Sequence, residues 1–121
     1  MNDTPAASGG TALIDLAREP DFELGAALIR PSLSEVVRQG EIIPLQPKIM
    51  QVLVVLARAG GAVVTRQELV ESCWGGLAIG DDSINRCIVR IRRLSEVEAA
   101  GCFAIQTVSR IGYRQIGRAH V

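Results

Sequence analysis

The stretch that decides the fold runs from Asp81 to Leu94 and reads DDSINRCIVRIRRL. At 3.6 residues per turn, its apolar residues gather on one side of a helix. These are Ile84, Cys87, Ile88, Ile91 and Leu94. The opposite side carries Arg86, Val89, Arg90 and Arg93, with Asn85 and Arg92 at the boundary. One face therefore suits a protein core and the other a polyanion, which predicts a recognition helix for duplex DNA.

Two acidic residues begin this segment. We expect Asp81 or Asp82 to cap the helix, because a short acceptor side chain satisfies backbone N–H groups that lack an intrahelical partner. Both acids also lie at the positive end of the helix dipole, while the arginines occupy the later turns, where cations are favoured.

The charge distribution supports a polyanion partner more than the total charge does. The net charge of the 121-residue chain is zero, but residues 86–118 contain seven arginines and only two acids. The rest of the chain is correspondingly acidic. Such asymmetry favours a surface that faces a polyanion. The alternative is an ordinary solvated helix face.

Composition excludes several other classes. A hydrophobic content of 48% predicts one folded domain with a real core. Cys73, Cys87 and Cys102 are too far apart for a CxxC pair, and their odd number disfavours a disulfide framework. We expect Cys73 and Cys87 to act as small buried hydrophobes. No histidine stands in a ligand-like pattern, so we expect no metal site.

Targeting signals are absent from the sequence pattern. No apolar run approaches the ~18 residues that a membrane span needs, and the N-terminus lacks the features of a signal peptide. We expect a cytoplasmic location, with membrane anchoring only through a further C-terminal segment.

The chain divides into a leader, a domain and a tail. Residues 1–20 are expected to form a flexible leader, with a short helical turn within 12–18. Residues 21–115 form the domain, which opens with a three-strand antiparallel meander: a first strand from Phe22 that Pro31 stops, then 33–38 and 41–45. Glu35 and Glu41 make this meander a poor DNA surface, so we assign it to scaffolding or to contact with another domain.

Two helices are predicted between the meander and residue 81. Pro47 opens the first, and Gly60-Gly61 ends it. Its apolar stripe consists of Ile49, Val52, Leu53 and Leu56. Val63 and Val64 form a brief extended link. Residues 65–68, TRQE, form a capping box that starts the second helix, and Gly75-Gly76 ends it. The second helix directs Leu69, Val70, Cys73 and Trp74 towards the core.

Two short runs close the domain, 102–108 and 112–116, with a turn at 109–112 between them. Arg110 lies at the tip of this predicted hairpin. A hairpin directly after a basic helix is a wing.

With these elements in this order, residues 22–116 resemble the OmpR/PhoB-type winged-helix DNA-binding domain. The motifs that carry the resemblance are LQP at 45–47, VTRQEL at 64–69, CWG at 73–75, IVRIRR at 88–93, IQTV at 105–108 and GYR at 112–114. The resemblance implies an α+β fold: a winged helix-turn-helix with an N-terminal antiparallel β-meander, a three-helix core and a C-terminal β-hairpin wing.

One departure refines the resemblance. Response-regulator versions usually carry a glycine where this chain has Arg110, and residues 107–113 are more similar to the CadC/ToxR-like group. In that group the DNA-binding domain comes first. The resemblance implies a two-component-like effector domain without control by aspartyl phosphate. It also implies pairing of two or more copies on repeated half-sites and contact with RNA polymerase through residues 75–80.

The tail over 116–121, IGRAHV, matches what translation of a common sequencing adapter would give. On this hypothesis the natural chain continues after Gln115, and Arg118 and His120 should not be interpreted. Source DNA that encodes the same six residues before a true stop codon would contradict it.

Candidate DNA contacts lie on the recognition helix and at the wing tip. They are Ser83, Asn85, Arg86, Val89, Arg90, Arg93 and Arg110. The helix arginines would read guanine O6 and N7 or bind phosphates, and Asn85 would read adenine. Val89 would touch a thymine methyl group or is a tolerated exposed apolar residue. Arg110 would enter the minor groove or is an ordinary solvated turn residue.

Candidate phosphate contacts are Arg66, Arg92 and Thr107. Arg66 would help the second helix's N-terminus bind a phosphate or is a plain exposed charge. For Arg92, an ion pair with Glu68 or Glu71 competes with a phosphate contact. Trp74 and Tyr113 suit packing better than base stacking, since the aromatic content is only 3%.

The predicted function is sequence-specific binding of double-stranded DNA by the N-terminal domain of a bacterial transcription regulator. Helix 81–94 would occupy the major groove and wing 104–116 the minor groove. The alternative is a winged-helix protein-interaction module without DNA binding. We expect no enzyme, cofactor or small-molecule substrate: His120 is the only histidine, and no nucleophile has a base partner at a readable spacing.

Overall fold

The computed structural model describes residues 13–98 and 103–117. Within these ranges three α-helices stand between two antiparallel sheets. The strands are β1 (Phe22–Leu24), β2 (Ala27–Arg30), β3 (Glu35–Arg38), β4 (Glu41–Pro44), β5 (Val64–Thr65), β6 (Phe103–Val108) and β7 (Gly112–Gly117). The helices are α1 (Pro47–Arg58), α2 (Arg66–Trp74) and α3 (Asp81–Arg93). The predicted α+β winged-helix architecture is confirmed.

The N-terminal sheet has four strands in the order β1-β2-β3-β4, so the prediction of three strands was wrong. The predicted first strand folds back on itself at Gly25, whose φ of 61° suits a tight hairpin, and Leu24 pairs with Ala27. The predicted second strand also starts later, at Glu35, because Pro31–Leu33 forms a 3-10 turn. Ala27 and Ile29 on β2 and Val36 on β3 are fully buried in the core.

Helix α1 forms the centre of the molecule. Pro47 occupies its first turn as predicted, since a proline there removes no intrahelical hydrogen bond. Val52, Leu53 and Leu56 are fully buried as predicted, while Ile49 is only partly buried. Two further residues, Met50 and Val54, are also fully buried. Packing on more than one side of α1 explains why its buried surface is wider than one stripe.

Helix α2 begins at the predicted capping box. The Glu68 amide donates to Thr65 Oγ1 at 3.1 Å, and the Thr65 amide donates to Glu68 Oε1 at 2.8 Å. The helix ends at Gly75, whose φ of 64° allows the left-handed termination that glycine favours. Leu69 and Cys73 are fully buried, and Trp74 is half-buried with the Lys48 Nζ 5.2 Å from its ring centre.

The second sheet has the order β5-β7-β6, so the predicted link at Val63 and Val64 is partly a strand. Val64 pairs with Tyr113 and Thr65 pairs with Gly112, which joins the wing to the start of α2. Gly112 makes this approach possible. A Cβ atom at that position would lie 2.0 Å from the Val64 carbonyl oxygen.

Residues 14–19, which were predicted to lie in a flexible leader, pack against the helices. The Ile14 amide donates to the Ser72 carbonyl at 2.8 Å, and Gln51 Nε2 donates to the Ile14 carbonyl at 3.0 Å. The Ile14 side chain is buried. Further along, Glu19 forms an ion pair with Arg58 at 2.8 Å. These contacts cross between distant parts of the chain, so local composition does not reveal them.

None of the helices in the described part of the chain is both long and apolar enough to cross a lipid bilayer.

Candidate nucleic-acid interface

Helix α3 has the two faces that its sequence predicts. Ile84, Cys87, Ile88 and Ile91 are buried, and Leu94 is fully buried in the π-helical turn Leu94–Glu98 that follows. Burial of such aliphatic side chains stabilises by about 1.5–3 kcal/mol each. This packing fixes the rotation of α3 about its axis, so the opposite face must point outward.

The start of α3 differs from the prediction. The N-cap is Gly80, with no side-chain cap, so neither Asp81 nor Asp82 caps the helix. Both acids lie in the first turn, where they still interact favourably with the helix dipole. The Asp81 carboxylate forms an ion pair with Arg66 instead. This ion pair joins the first turn of α3 to the first turn of α2.

The outward face of α3 forms one shallow, continuous surface, which we call the α3 face. It is lined by Asp82, Asn85, Arg86, Val89, Arg90 and Arg93. All but Asp82 were predicted as DNA contacts. The spacing of Asp82 four residues before Arg86 places both on one helix face, and that signal was present in the sequence. Ser83, also predicted, lies half-buried in the first turn outside this lining.

Exposure distinguishes the residues of the α3 face. Val89 is 64% exposed despite its apolar side chain. Arg86 and Arg93 are exposed, whereas Arg90 is half-buried. Exposed guanidinium groups beside an exposed aliphatic group match the contacts that guanine, phosphate and the thymine methyl group offer in a major groove.

Arg66 is not a plain exposed charge. Besides its ion pair with Asp81, it donates from NH1 to the Tyr113 hydroxyl at 2.9 Å. The Tyr113 hydroxyl in turn donates to Asn85 Oδ1 at 3.5 Å. Tyr113 is buried, in agreement with a packing role. The network joins α2, the start of α3 and strand β7. It occupies the side-chain carbonyl oxygen of Asn85, and the side-chain NH2 group of Asn85 is left for another partner.

Arg92 joins α3 to the wing, so the predicted ion pair with Glu68 or Glu71 is wrong. Its Nε donates to the Ile105 carbonyl at 3.4 Å, and a terminal nitrogen donates to Thr107 Oγ1. Glu68 is engaged in the capping box of α2, and Glu71 accepts a hydrogen bond from Gln67. The predicted phosphate contacts Arg92 and Thr107 are therefore bonded to each other.

Arg110 lies exposed in the turn between β6 and β7, as predicted. Its φ of 65° is in the left-handed region, which non-glycine residues adopt only at a cost. The Ile111 amide closes the turn by donating to the Val108 carbonyl at 3.0 Å. On the same hairpin, Arg114 donates to Gln106 across the two strands. Arg114 is a second wing cation that the site prediction omitted.

The buried cysteines are free thiols. Burial raises the pKa of Cys73 to about 12, with the Lys48 charge opposing the shift, and burial also raises the pKa of Cys87. Both are thus protonated packing residues, as predicted. Cys102 and His120 fall outside the described residues. Within those residues no three His, Cys, Asp or Glu side chains gather in a way that would hold a metal ion.

Helices α1 to α3, the basic α3 face and the β6–β7 hairpin together define a winged helix-turn-helix. Residues 40–115 match the family described as "Transcriptional regulatory protein, C terminal". The chain belongs to this family, the OmpR/PhoB-type DNA-binding domains of transcription regulators.

The curated relatives of this chain include CadC itself, in agreement with the predicted CadC-like resemblance. The transcriptional activator CadC of Escherichia coli K12 is 26% identical over 98 residues, which are 80% of this chain and 19% of CadC. The transcriptional regulator HilA of Salmonella typhimurium is 30% identical over 79 residues, which are 65% of this chain and 14% of HilA. The chain therefore spans under a fifth of the length of these relatives.

Solved structures agree. The DNA-binding domain of E. coli CadC superposes with a TM-score of 0.72 at 26% identity, covering 83% of this chain and 94% of that domain. The Klebsiella pneumoniae RstA DNA-binding domain, in complex with the RstA box, has a TM-score of 0.63 at 26% identity and covers 79% and 96%.

Proposed function

We propose that this domain binds double-stranded DNA sequence-specifically, with α3 in the major groove and the β6–β7 wing in an adjacent minor groove. The observation that carries the proposal is the α3 face, where exposed arginines surround an exposed Val89 on a helix whose opposite side is buried. A helix of this kind fits the width of the major groove. The RstA DNA-binding domain, a structural neighbour solved in complex with its RstA box, supports binding to double-stranded DNA.

Each residue of the α3 face has a distinct role in this proposal. Arg86, Arg90 and Arg93 read guanine or bind the flanking phosphates. Val89 contacts a thymine methyl group. Asn85 offers its amide donors to a base edge, since its carbonyl oxygen already accepts from Tyr113. Asp82 accepts a hydrogen bond from a cytosine amino group, or its carboxylate repels the phosphates of DNA bound in any other register.

The wing and the helix N-termini supply the remaining contacts. Arg110 enters the minor groove, where a narrow A·T tract presents a more negative potential. Ser83 contributes at the first turn of α3. Arg66 is already paired with Asp81, which neutralises part of its attraction for a phosphate. We therefore expect its replacement to weaken DNA binding less than replacement of Arg93.

We further propose that the domain belongs to a bacterial transcription regulator and pairs in two or more copies on repeated half-sites. A single module buries about 600–1,000 Å² on DNA and binds weakly alone. Residues 75–80 form an exposed loop beside α3, in which Leu77 is 68% exposed, and this loop is the proposed contact with RNA polymerase. The proposal assigns no reaction, cofactor or small-molecule substrate to the domain, and the regulator would act in the cytoplasm.

The test is a salt titration of binding to fragments of the gene's own upstream region and to random duplex DNA. We expect tight binding to one fragment that weakens steeply with salt, since bound phosphates release counterions. If Arg93 or Arg86 reads a base, its replacement by alanine should cost ~1–3 kcal/mol of binding free energy on that fragment and less on random DNA. If the arginine binds a phosphate, the replacement should weaken binding to both DNAs equally.

Arg18→Ala is the matched control for these variants. Arg18 is an 86% exposed arginine that pairs with Asp15 and lies outside the α3 face and the wing, so its loss should leave specific affinity unchanged. No binding at low salt by the wild-type domain would contradict the proposal and favour a protein-interaction module. Equal weakening by Arg18→Ala would show that net charge, rather than the α3 face, determines affinity.

A further inference from the structure

Arg92 differs in its surroundings from the other arginines of α3. It is half-buried and does not line the α3 face. Its guanidinium group instead binds strand β6 at two points, the Ile105 carbonyl and the Thr107 hydroxyl. These acceptors lie two residues apart on one strand, so the planar guanidinium fixes the direction of that strand as well as its distance from α3.

A second contact links α3 to the other strand of the hairpin, β7. Tyr113 on β7 pairs with Thr107 on β6, and its hydroxyl donates to Asn85. Asn85 and Arg92 are seven residues apart on α3, which is two helical turns, about 10 Å. Because the hairpin is hydrogen-bonded to α3 at two separate points, it cannot rotate about either hydrogen bond. Strand β5 holds the same hairpin from its other side, through the pairing of Val64 with Tyr113 and of Thr65 with Gly112. Beyond these pairs the hairpin continues through Val108 to the turn that carries Arg110.

We propose that Arg92 is a positioning residue, which binds Thr107 and Ile105 to hold the wing tip at a fixed distance and angle from the α3 face. The inference rests on the proposed DNA-binding function. Arg110 then reaches the minor groove while α3 occupies the major groove, without an ordering cost at binding. Preorganisation of this kind increases affinity because fewer conformations are lost when the complex forms.

The first measurement is backbone ¹⁵N relaxation of the free domain at residues 109–111. Arg92→Ala and Thr107→Val should both increase motion of the wing tip, since each removes the Arg92–Thr107 hydrogen bond. Thr107→Val keeps the charge of Arg92 and suits a β-strand, so it tests the bond without unfolding the domain. Thr107→Ser keeps the acceptor hydroxyl and should restore the order of the wild-type wing.

The second measurement is a double-mutant cycle between Arg92 and Arg110 on an operator flanked by A·T pairs. We expect Arg92→Ala to weaken binding about five- to tenfold, the loss expected for one groove contact, and Arg110→Ala to add little in that background. Replacing the flanking pairs with G·C should remove most of the Arg92→Ala effect. Thr107→Val should also weaken binding, with the same dependence on Arg110 and on the A·T flanks, and should leave the salt dependence of binding unchanged.

The proposal would be overturned if the losses of affinity from Arg92→Ala and Arg110→Ala simply added. In that case Arg92→Ala by itself should also reduce the slope of log affinity against log salt concentration by about one. Arg92 would then be a phosphate contact. An unchanged wing-tip order in Arg92→Ala and Thr107→Val would overturn it as well. A wild-type domain that fails to bind duplex DNA would overturn the proposed function, and the relaxation data would still decide whether Arg92 orders the wing.

Discussion

Arg110 shows how one residue carries both a conformational cost and a proposed contact. Its backbone has a φ of 65°, a conformation that costs a non-glycine residue about 1–2 kcal/mol. By the resemblance described above, response-regulator versions of the domain usually have glycine there, which avoids this cost. This chain instead keeps a cation at the tip of its wing, and the proposed minor-groove contact supplies a reason.

We predict that Arg110→Gly and Arg110→Ala weaken DNA binding equally but differ in stability. Both remove the charge, whereas only glycine relieves the left-handed strain. Arg110→Gly should therefore be more stable than Arg110→Ala by about 1 kcal/mol in urea unfolding. Retention of wild-type DNA affinity by either variant would show that Arg110 is an ordinary solvated turn residue.

At this scale the sequence predicted the α3 face correctly and missed the partners of the charged residues beside it. Helical periodicity identified the α3 face because it depends only on local spacing. It did not reveal that Asp81 pairs with Arg66, or that Arg92 binds Thr107, since each pair joins residues fifteen positions apart in the chain. Such contacts depend on how the elements pack together.

At the scale of elements, the capping box at the start of α2 links a helix to a sheet. Thr65 caps α2 with its hydroxyl and pairs with Gly112 of β7 through its backbone. The same residue therefore sets where the helix starts and where the wing attaches.

We predict that Thr65→Ala lowers the free energy of unfolding by ~1 kcal/mol, because one amide of α2 loses its acceptor. Thr65→Ser keeps the hydroxyl and should change stability little. Urea unfolding of both variants at neutral pH makes the comparison. A similar loss in both would assign the effect to the Thr65 methyl group on the strand instead of the cap.

Element prediction succeeded where a signal was local and failed where the partner was distant. Pro47, the capping box and the terminating glycines each act within a few residues, and they marked α1 and α2 correctly. The hairpin at Gly25 and the strand at Val64 were not recognised. Val64 in particular becomes a strand only because Gly112 lets β7 approach it closely.

At the scale of the whole molecule, the core makes stability depend on pH through Cys73. Burial in the folded state raises the pKa of this thiol from 9.0 to about 12, whereas the unfolded chain titrates near its ordinary value. Between these values the unfolded chain loses a proton that the folded domain keeps. The contribution of Cys73 to stability is therefore complete below pH 9 and falls as the pH rises.

We predict that the stability advantage of the wild-type domain over Cys73→Ala shrinks by about 1.4 kcal/mol per pH unit above pH 9. Urea unfolding of both proteins at pH 8 and at several higher values measures it. Groups other than Cys73 titrate in both proteins and cancel in the difference. A constant difference across this range would mean that the thiol is not shielded from water in the folded state.

By itself, the sequence determined the class of fold, the starts of α1 and α2 and the basic face of α3. Each of these follows from periodicity, capping and turn chemistry, which operate over a single element. Only the tertiary structure decided which charged groups face solvent and which are bonded within the domain, how residues 14–19 dock on the helices, and how the wing is tied to α3. These depend on contacts between distant residues, which form only when the common core brings the elements together.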